Sequence, residues 1–173
     1  MVLEISSNPL KEESKISVLF VCLGNICRSP TAEGMFRDKV LVSGLADTVH
    51  IDSAGTGDWH IGRPPDVRAQ KAALARGYDI SDLRARQVST ADFDEFDYIL
   101  AMDEQNLRDL HAMRPNTFRG HLGLMLQFSQ SNDLTDVPDP YFGGEEGFQS
   151  VLDLLETASE GLLAHIRDHH FVK

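Results

Sequence analysis

At 173 residues, with 42% apolar and 25% charged side chains, the chain suits one soluble globular domain with its own core and excludes fibrous or disordered classes. A formal charge of −11 sets it against nucleic acid and anionic lipid, so a phosphate site has to be a local positive feature. No apolar run reaches membrane-spanning length, and two cysteines are too few for a disulfide scaffold, which points to a reducing, cytoplasmic setting.

Residues 1–15 are mostly polar and lack the apolar stretch of a secretory signal; they read as a flexible extension, with specialised export left open. Residues 16–21 form an apolar, β-prone run expected to be a central strand. Ser29-Pro30 then opens a helix, with Ser29 as N-cap, Pro30 at the first position and Glu33 as an acid in the first turn. Met35, Phe36, Val40 and Leu41 carry that helix to about residue 42. Residues 49–53 suit a second strand, and 54–64 a loop holding the single tryptophan, Trp59. A second helix fits 65–76, stopped by Gly77. Residues 98–102 suit a third strand, followed by a helix start capped at Asp103. The stretch 122–128 is ambiguous and fits a fourth strand; 136–144 is a Pro/Gly/aromatic loop, and 148–169 a long amphipathic helix. The alternation predicts one α/β domain over 16–173: a central four-stranded parallel sheet, helices on both faces, and a phosphate-binding loop after strand 1.

That loop carries the chemistry. Between the strand and the helix lie Cys22-Leu23-Gly24-Asn25-Ile26-Cys27-Arg28. Successive inward N–H groups and a helix N-terminus bind a tetrahedral oxyanion. Gly24 and Asn25 are residue types that tolerate a left-handed curl. Arg28 can grip two phosphate oxygens with its planar fork. The same field favours a thiolate at Cys22, and Ser29 is placed to donate a hydrogen bond to its sulfur. Cys27, inside the same loop, could trap an oxidised Cys22 as a disulfide, or simply fill space.

The stretch from Val21 to Glu33, V-C-L-G-N-I-C-R-S-P-T-A-E, closely resembles the phosphate-binding loop of the low-molecular-weight protein tyrosine phosphatases. Similar segments follow in order: D-S-A-G-T-G-D-W from Asp52, G-R-P-P-D from Gly62, A-R-Q from Ala85, F-D-Y-I-L from Phe96, N-L-R-D-L from Asn106 and D-P-Y from Asp139. The resemblance implies hydrolysis of protein phosphotyrosine through a phosphocysteine, without metal or other cofactor. It makes Cys22 the nucleophile, Arg28 the phosphate clamp and Asp139 the general acid and later base. Asn25 and Ser53 would hold the loop, Ser29 would support the thiolate, and Trp59, Tyr141 and Phe142 would wall the substrate slot. The implied partner is a tyrosine-phosphorylated protein, such as a tyrosine kinase, bound by a monomer or weak dimer.

Two positions depart from the family pattern. Phe142 replaces a common tyrosine, and Leu83 stands where a loop-bracing histidine is frequent, so the loop must be braced in another way. Arsenate reductases of this fold relay oxidation through later cysteines, and none follows Cys27. Arginine phosphatases of similar sequence usually carry threonine where Ile26 stands. A non-catalytic phosphoprotein-binding module would lack the nucleophile or the acid, and both residue types are in place. Asp103 reads as a helix cap or loop support rather than a catalyst. His165 and His169, one helical turn apart, lack a third ligand for zinc and read as a solvated tail. Arg63 and Arg68 either add positive charge near the mouth or are plain surface residues.

Overall fold

The computed structural model describes residues 15–129 and 134–171. Its sheet is built from β1 (Ile16–Cys22), β2 (Val49–Gly55), β3 (Tyr98–Ala101) and β4 (His121–Leu124), all parallel, in the spatial order β2-β1-β3-β4. β1 is buried at every position, as an unbroken apolar run covered on both faces requires. Cys22 lies opposite Gly55 of β2, and Val21 opposite Ala101 of β3. The chain leaves β1 for β2 on one side and returns to β3 on the other. A crevice therefore opens at the carboxyl ends of β1 and β3, where α/β folds hold their ligands.

The helices among the described residues are α1 (Arg28–Val42), α2 (Val67–Ala75), α3 (Asp92–Glu95), α4 (Glu104–Met113) and α5 (Glu145–Ile166). Strand side chains alternate between two cores. Val18, Phe20 and Cys22 face a cluster with Met35 and Phe36 of α1, Ala69 and Ala73 of α2, and Leu152, Leu155 and Leu162 of α5. Leu19 and Val21 join Ile99, Ala101, Phe93, Leu110 and Phe118 on the other face, under α3 and α4. Helices thus cover both faces, as the alternation predicts.

Several boundaries differ from the sequence expectation. Of the ambiguous stretch only residues 122–124 lie in a strand, which starts at His121; Met125–Phe128 turns as a 3₁₀ helix. β3 ends at Ala101, opposite Leu124, so nothing remains for the later residues to pair with. Ser29 is not the N-cap: Cys27 holds that position, and the Ser29 hydroxyl turns back to Cys22. Glu33 is the sixth residue of α1, beyond its first turn, and reaches Ser53 of β2 instead. Asp66 caps α2 by accepting from the Arg68 N–H at 2.8 Å, so that helix starts after Pro65. α5 starts three residues earlier than expected and ends in a π-helical turn, Arg167–Phe171. α3, four residues long, is too short for periodicity to reveal. The expected extension, Lys15 aside, lies outside the described residues.

Candidate active site

β1 delivers Cys22 to the carboxyl edge of the sheet, 2% exposed, and the chain then curls through Asn25 in the left-handed region at φ 58°. Gly24 does not share that conformation. Its lack of a side chain serves a close approach, because a Cβ there would lie 2.9 Å from the His60 ring. The curl docks on the segment after β2: Thr56 N–H donates to Cys22 O at 2.9 Å and Gly57 N–H to Leu23 O at 2.8 Å. A Cβ on Gly55 would meet Leu23 O at 2.7 Å, so glycine is needed there for the loop to seat. The sulfur of Cys22 accepts from the Asn25 N–H at 3.3 Å and lies 3.1 Å from Ser29 Oγ.

Behind the loop, Asn25 is held from three directions. Its Oδ1 accepts from the Arg86 N–H at 3.0 Å, and its Nδ2 donates to Ser29 Oγ at 2.7 Å and Ser53 Oγ at 3.0 Å. Ser53 Oγ in turn donates to Glu33 Oε1 at 2.6 Å. Arg86 is fixed by Asp92 at 2.9 Å and Asp52 at 3.1 Å. Leu83 packs partly buried against the apolar core. The brace that the departure at Leu83 calls for therefore comes from Glu33 and the Arg86 backbone. Burial pushes the Glu33 carboxyl above its ordinary value, against the pull of Ser53 and Arg37.

Arg28, the first residue of α1, is 2% exposed. Its Nη1 donates to Asp103 Oδ2 at 2.7 Å and Val137 O at 3.0 Å, and its Nη2 lies 3.6 Å from Asp139 Oδ2. Burial opposes the guanidinium charge, but Cys22, Asp103 and Asp139 outweigh it and hold Arg28 more firmly protonated than usual. Asp103 also caps α4 through the Asn106 N–H at 2.8 Å. The capping and the loop-supporting role are one and the same carboxylate. Asp139 arrives on a loop tied to Met102, just past β3, by the Val137 N–H to Met102 O bond of 2.8 Å, and its Oδ1 accepts from the Tyr141 N–H at 3.1 Å.

These elements enclose a cavity of about 210 Å³. Cys22, Leu23, Gly24, Ile26, Cys27 and Arg28 form its base, while Trp59, His60, Asp139, Tyr141 and Phe142 form its sides. Asn25, Ser29 and Ser53 stand behind the base rather than in it. Trp59 is 67% and Phe142 93% exposed, so neither is a core aromatic. Tyr141 and Phe142 meet edge to face at 4.9 Å. His60 escaped the sequence reading, since a single loop histidine beside Trp59 carries no pattern of its own. Arg68 is more than surface: it binds Asp66 and donates to Tyr141 O at 2.9 Å. Away from the cavity, His165 and His169 stack with ring centroids 4.0 Å apart. Among the described residues, no group of three or more His, Cys, Asp or Glu is placed to hold a metal ion, and no helix is long and apolar enough to cross a membrane.

Comparison with known proteins agrees with this geometry. Residues 17–171 match the family described as low molecular weight phosphotyrosine protein phosphatase. The low molecular weight protein-tyrosine-phosphatase YfkJ of Bacillus subtilis is 47% identical over 152 residues, covering 88% of this chain and 96% of the relative. The crystal structure of a protein tyrosine phosphatase from Entamoeba histolytica, with Hepes in its active site, superposes with a TM-score of 0.86 at 41% identity, covering 89% of this chain and 98% of that one. A Drosophila arginine phosphatase superposes at 0.81 with 33% identity, over 87% of this chain and 97% of that one.

Proposed function

Because the chain belongs to the low molecular weight phosphotyrosine protein phosphatase family, we propose that its cavity performs the family's hydrolysis with Cys22, Arg28 and Asp139 as the reacting set. The chain is a protein-tyrosine phosphatase of a metal-independent class that acts through a cysteine nucleophile. The Cys22 thiolate attacks phosphorus in line, while Arg28 and the loop N–H groups hold the three equatorial oxygens. Asp139 donates its proton to the departing phenolate oxygen. Its carboxylate then takes a proton from water, which attacks the phosphocysteine and releases inorganic phosphate. Ser29 stabilises the sulfur both as attacking and as departing thiolate.

The observation that carries this reading is the sharing of one cavity by Cys22, Arg28 and Asp139, walled by Trp59, Tyr141 and Phe142. Its volume and aromatic sides suit a phosphorylated phenol. Ile26 at the base adds an apolar contact for the ring, which favours phosphotyrosine over phosphoarginine. The substrate is a tyrosine-phosphorylated protein, such as a tyrosine kinase, in the cytoplasm, and the enzyme acts as a monomer or weak dimer. The segment from residue 16 onward is the catalytic domain.

Paired assays on phosphotyrosine and phosphoarginine peptides test this reading. Cys22→Ser should abolish turnover, and Asp139→Ala should lower kcat on the phosphotyrosine peptide by about 10²–10⁴-fold. Activity should peak on the mildly acid side of neutrality, because Asp139 must carry a proton in the first step. A profile still rising above about pH 8 would remove Asp139 from that role. Preferential hydrolysis of the phosphoarginine peptide would overturn the substrate class.

A further inference from the structure

Glu33 is a buried carboxylate that the displacement at phosphorus does not use. It is 4% exposed; Oε1 accepts from Ser53 Oγ at 2.6 Å and Oε2 pairs with Arg37. Arg86 and Asp52 are the other charged groups that act on it. Leu83, packed against the core, offers no polar atom to the network behind the loop. The proton on Ser29 Oγ has two acceptors, Cys22 Sγ at 3.1 Å and Ala54 O at 3.4 Å, and the contact to sulfur could run in either direction. Whether that hydroxyl helps the thiolate depends on what fixes its direction.

The two ends of the network fix it. The Arg86 backbone N–H can only donate, so the Asn25 amide turns Oδ1 toward it and points both Nδ2 hydrogens at Ser29 and Ser53. Glu33 Oε1 takes the single proton of Ser53, which leaves the Ser53 lone pairs to Asn25. Ser29 Oγ, already accepting from Asn25, then has its proton free for sulfur. Without an acceptor at residue 33 the Ser53 hydroxyl is no longer held, and Asn25 loses the fixed acceptor that, with the Arg86 N–H, keeps its amide oriented toward Ser29.

We propose that Glu33 is a positioning residue for the nucleophile: through Ser53 and Asn25 its carboxylate orients the Ser29 hydroxyl to donate to Cys22. The inference rests on Cys22 being the nucleophile. Electrostatics alone predicts the opposite sign, since removing a negative charge near a thiolate favours the thiolate.

Iodoacetate alkylation of Cys22, followed between about pH 4 and 8 with melting temperatures on the same samples, separates the two. Burial and nearby negative charge hold Cys27 as a thiol, so the reaction reports Cys22, with Cys22→Ser as the blank. Glu33→Leu should slow alkylation at the acid end about threefold to tenfold. Glu33→Gln, which keeps an accepting oxygen but no charge, should match or exceed the unmodified rate. In a Ser29→Ala background the Glu33→Leu effect should vanish. Ser53→Ala breaks the same link with little change of volume and should also slow alkylation, so a Glu33→Leu chain that does not fold still leaves the proposal exposed. Faster alkylation in Glu33→Leu or Ser53→Ala, or an undiminished effect without Ser29, overturns it. Phosphatase turnover by Cys22→Ser would instead remove the nucleophile assignment beneath it.

Discussion

Burial, followed by the negative charges of Asp66, Cys22 and Asp139, pushes the Cys27 thiol far above its ordinary range, so it faces the cavity as a neutral S–H. Both cysteines are free. Peroxide oxidising the Cys22 thiolate would leave a sulfenic acid, and the Cys27 sulfur can then displace water from it to close a disulfide. The intact enzyme should therefore recover most of its activity when a thiol reductant follows a brief peroxide pulse. Cys27→Ser, lacking the second sulfur, should progress to the sulfinic acid and stay inactive. Intact-mass measurement distinguishes the two: loss of two hydrogens in the first case, gain of two oxygens in the second. An equal and reversible loss in both proteins would leave Cys27 as a space-filling residue.

Between elements, the loop that carries Asp139 is held by contacts that run to α2. Asp66 caps that helix and its N–H donates to Ile26 O at 2.8 Å, so phosphate loop and helix share one anchor. Arg68 extends the anchor: its guanidinium is bidentate on Asp66, donates to Tyr141 O and lies over the Tyr141 and Phe148 rings at 5.5 and 5.0 Å. The Arg68 side chain is 47% exposed, so its ion pair adds little to stability; its bond to Tyr141 O is what ties it to the loop of Asp139. Arg68→Ala should lower kcat/KM on phenyl phosphate about threefold to tenfold while the melting temperature stays nearly constant. On 2,4-dinitrophenyl phosphate, whose leaving group needs no proton, kcat/KM should change little. Equal losses on both substrates would assign Arg68 to phosphate binding instead. Such a strap is illegible in the chain, because Tyr141 is 73 residues away from Arg68 and no local period links them. The same holds for Glu33, whose spacing from Pro30 suggests a first-turn acid and whose partner lies across the layer on β2. Cys22 and Arg28, by contrast, are legible because a strand, a loop of fixed length and a helix start place them with no help from distant residues.

On the scale of the whole molecule, the sheet separates two kinds of chemistry. The carboxyl ends of β1 and β3 hold the cavity, whereas the amino ends of β3 and β4 hold a histidine cluster. Tyr98 opens β3 and His121 opens β4, and both rings lie beside side chains from the end of α5 and the π-turn: Tyr98 meets His165 at 5.8 Å and bonds His170 at 2.9 Å. Phe128 covers His165 at 5.2 Å, and Asp168 is an opposing charge that acts on it. Burial first, and then His169, His121 and His170, hold His165 below its ordinary value of 6.5. In the folded protein this ring resists a proton that the unfolded chain accepts, so the associated stability is present above pH 6.5 and is lost as the pH falls below it. The ring is only partly buried, which limits the effect to a fraction of a kcal/mol, or about 1–2 °C in Tm. Comparing His165→Gln with the unmodified protein by calorimetry at pH 7.5 and 5.5 cancels the carboxylates, including Glu33, whose raised value acts in the opposite direction at lower pH. The unmodified protein should lose about 1–2 °C more than His165→Gln across that interval. Because the cluster stands at the far ends of the strands from Cys22 and Asp139, the substitution should leave the pH profile of kcat/KM unmoved. A shifted profile would mean that protonation of the histidine cluster reaches the cavity through the fold.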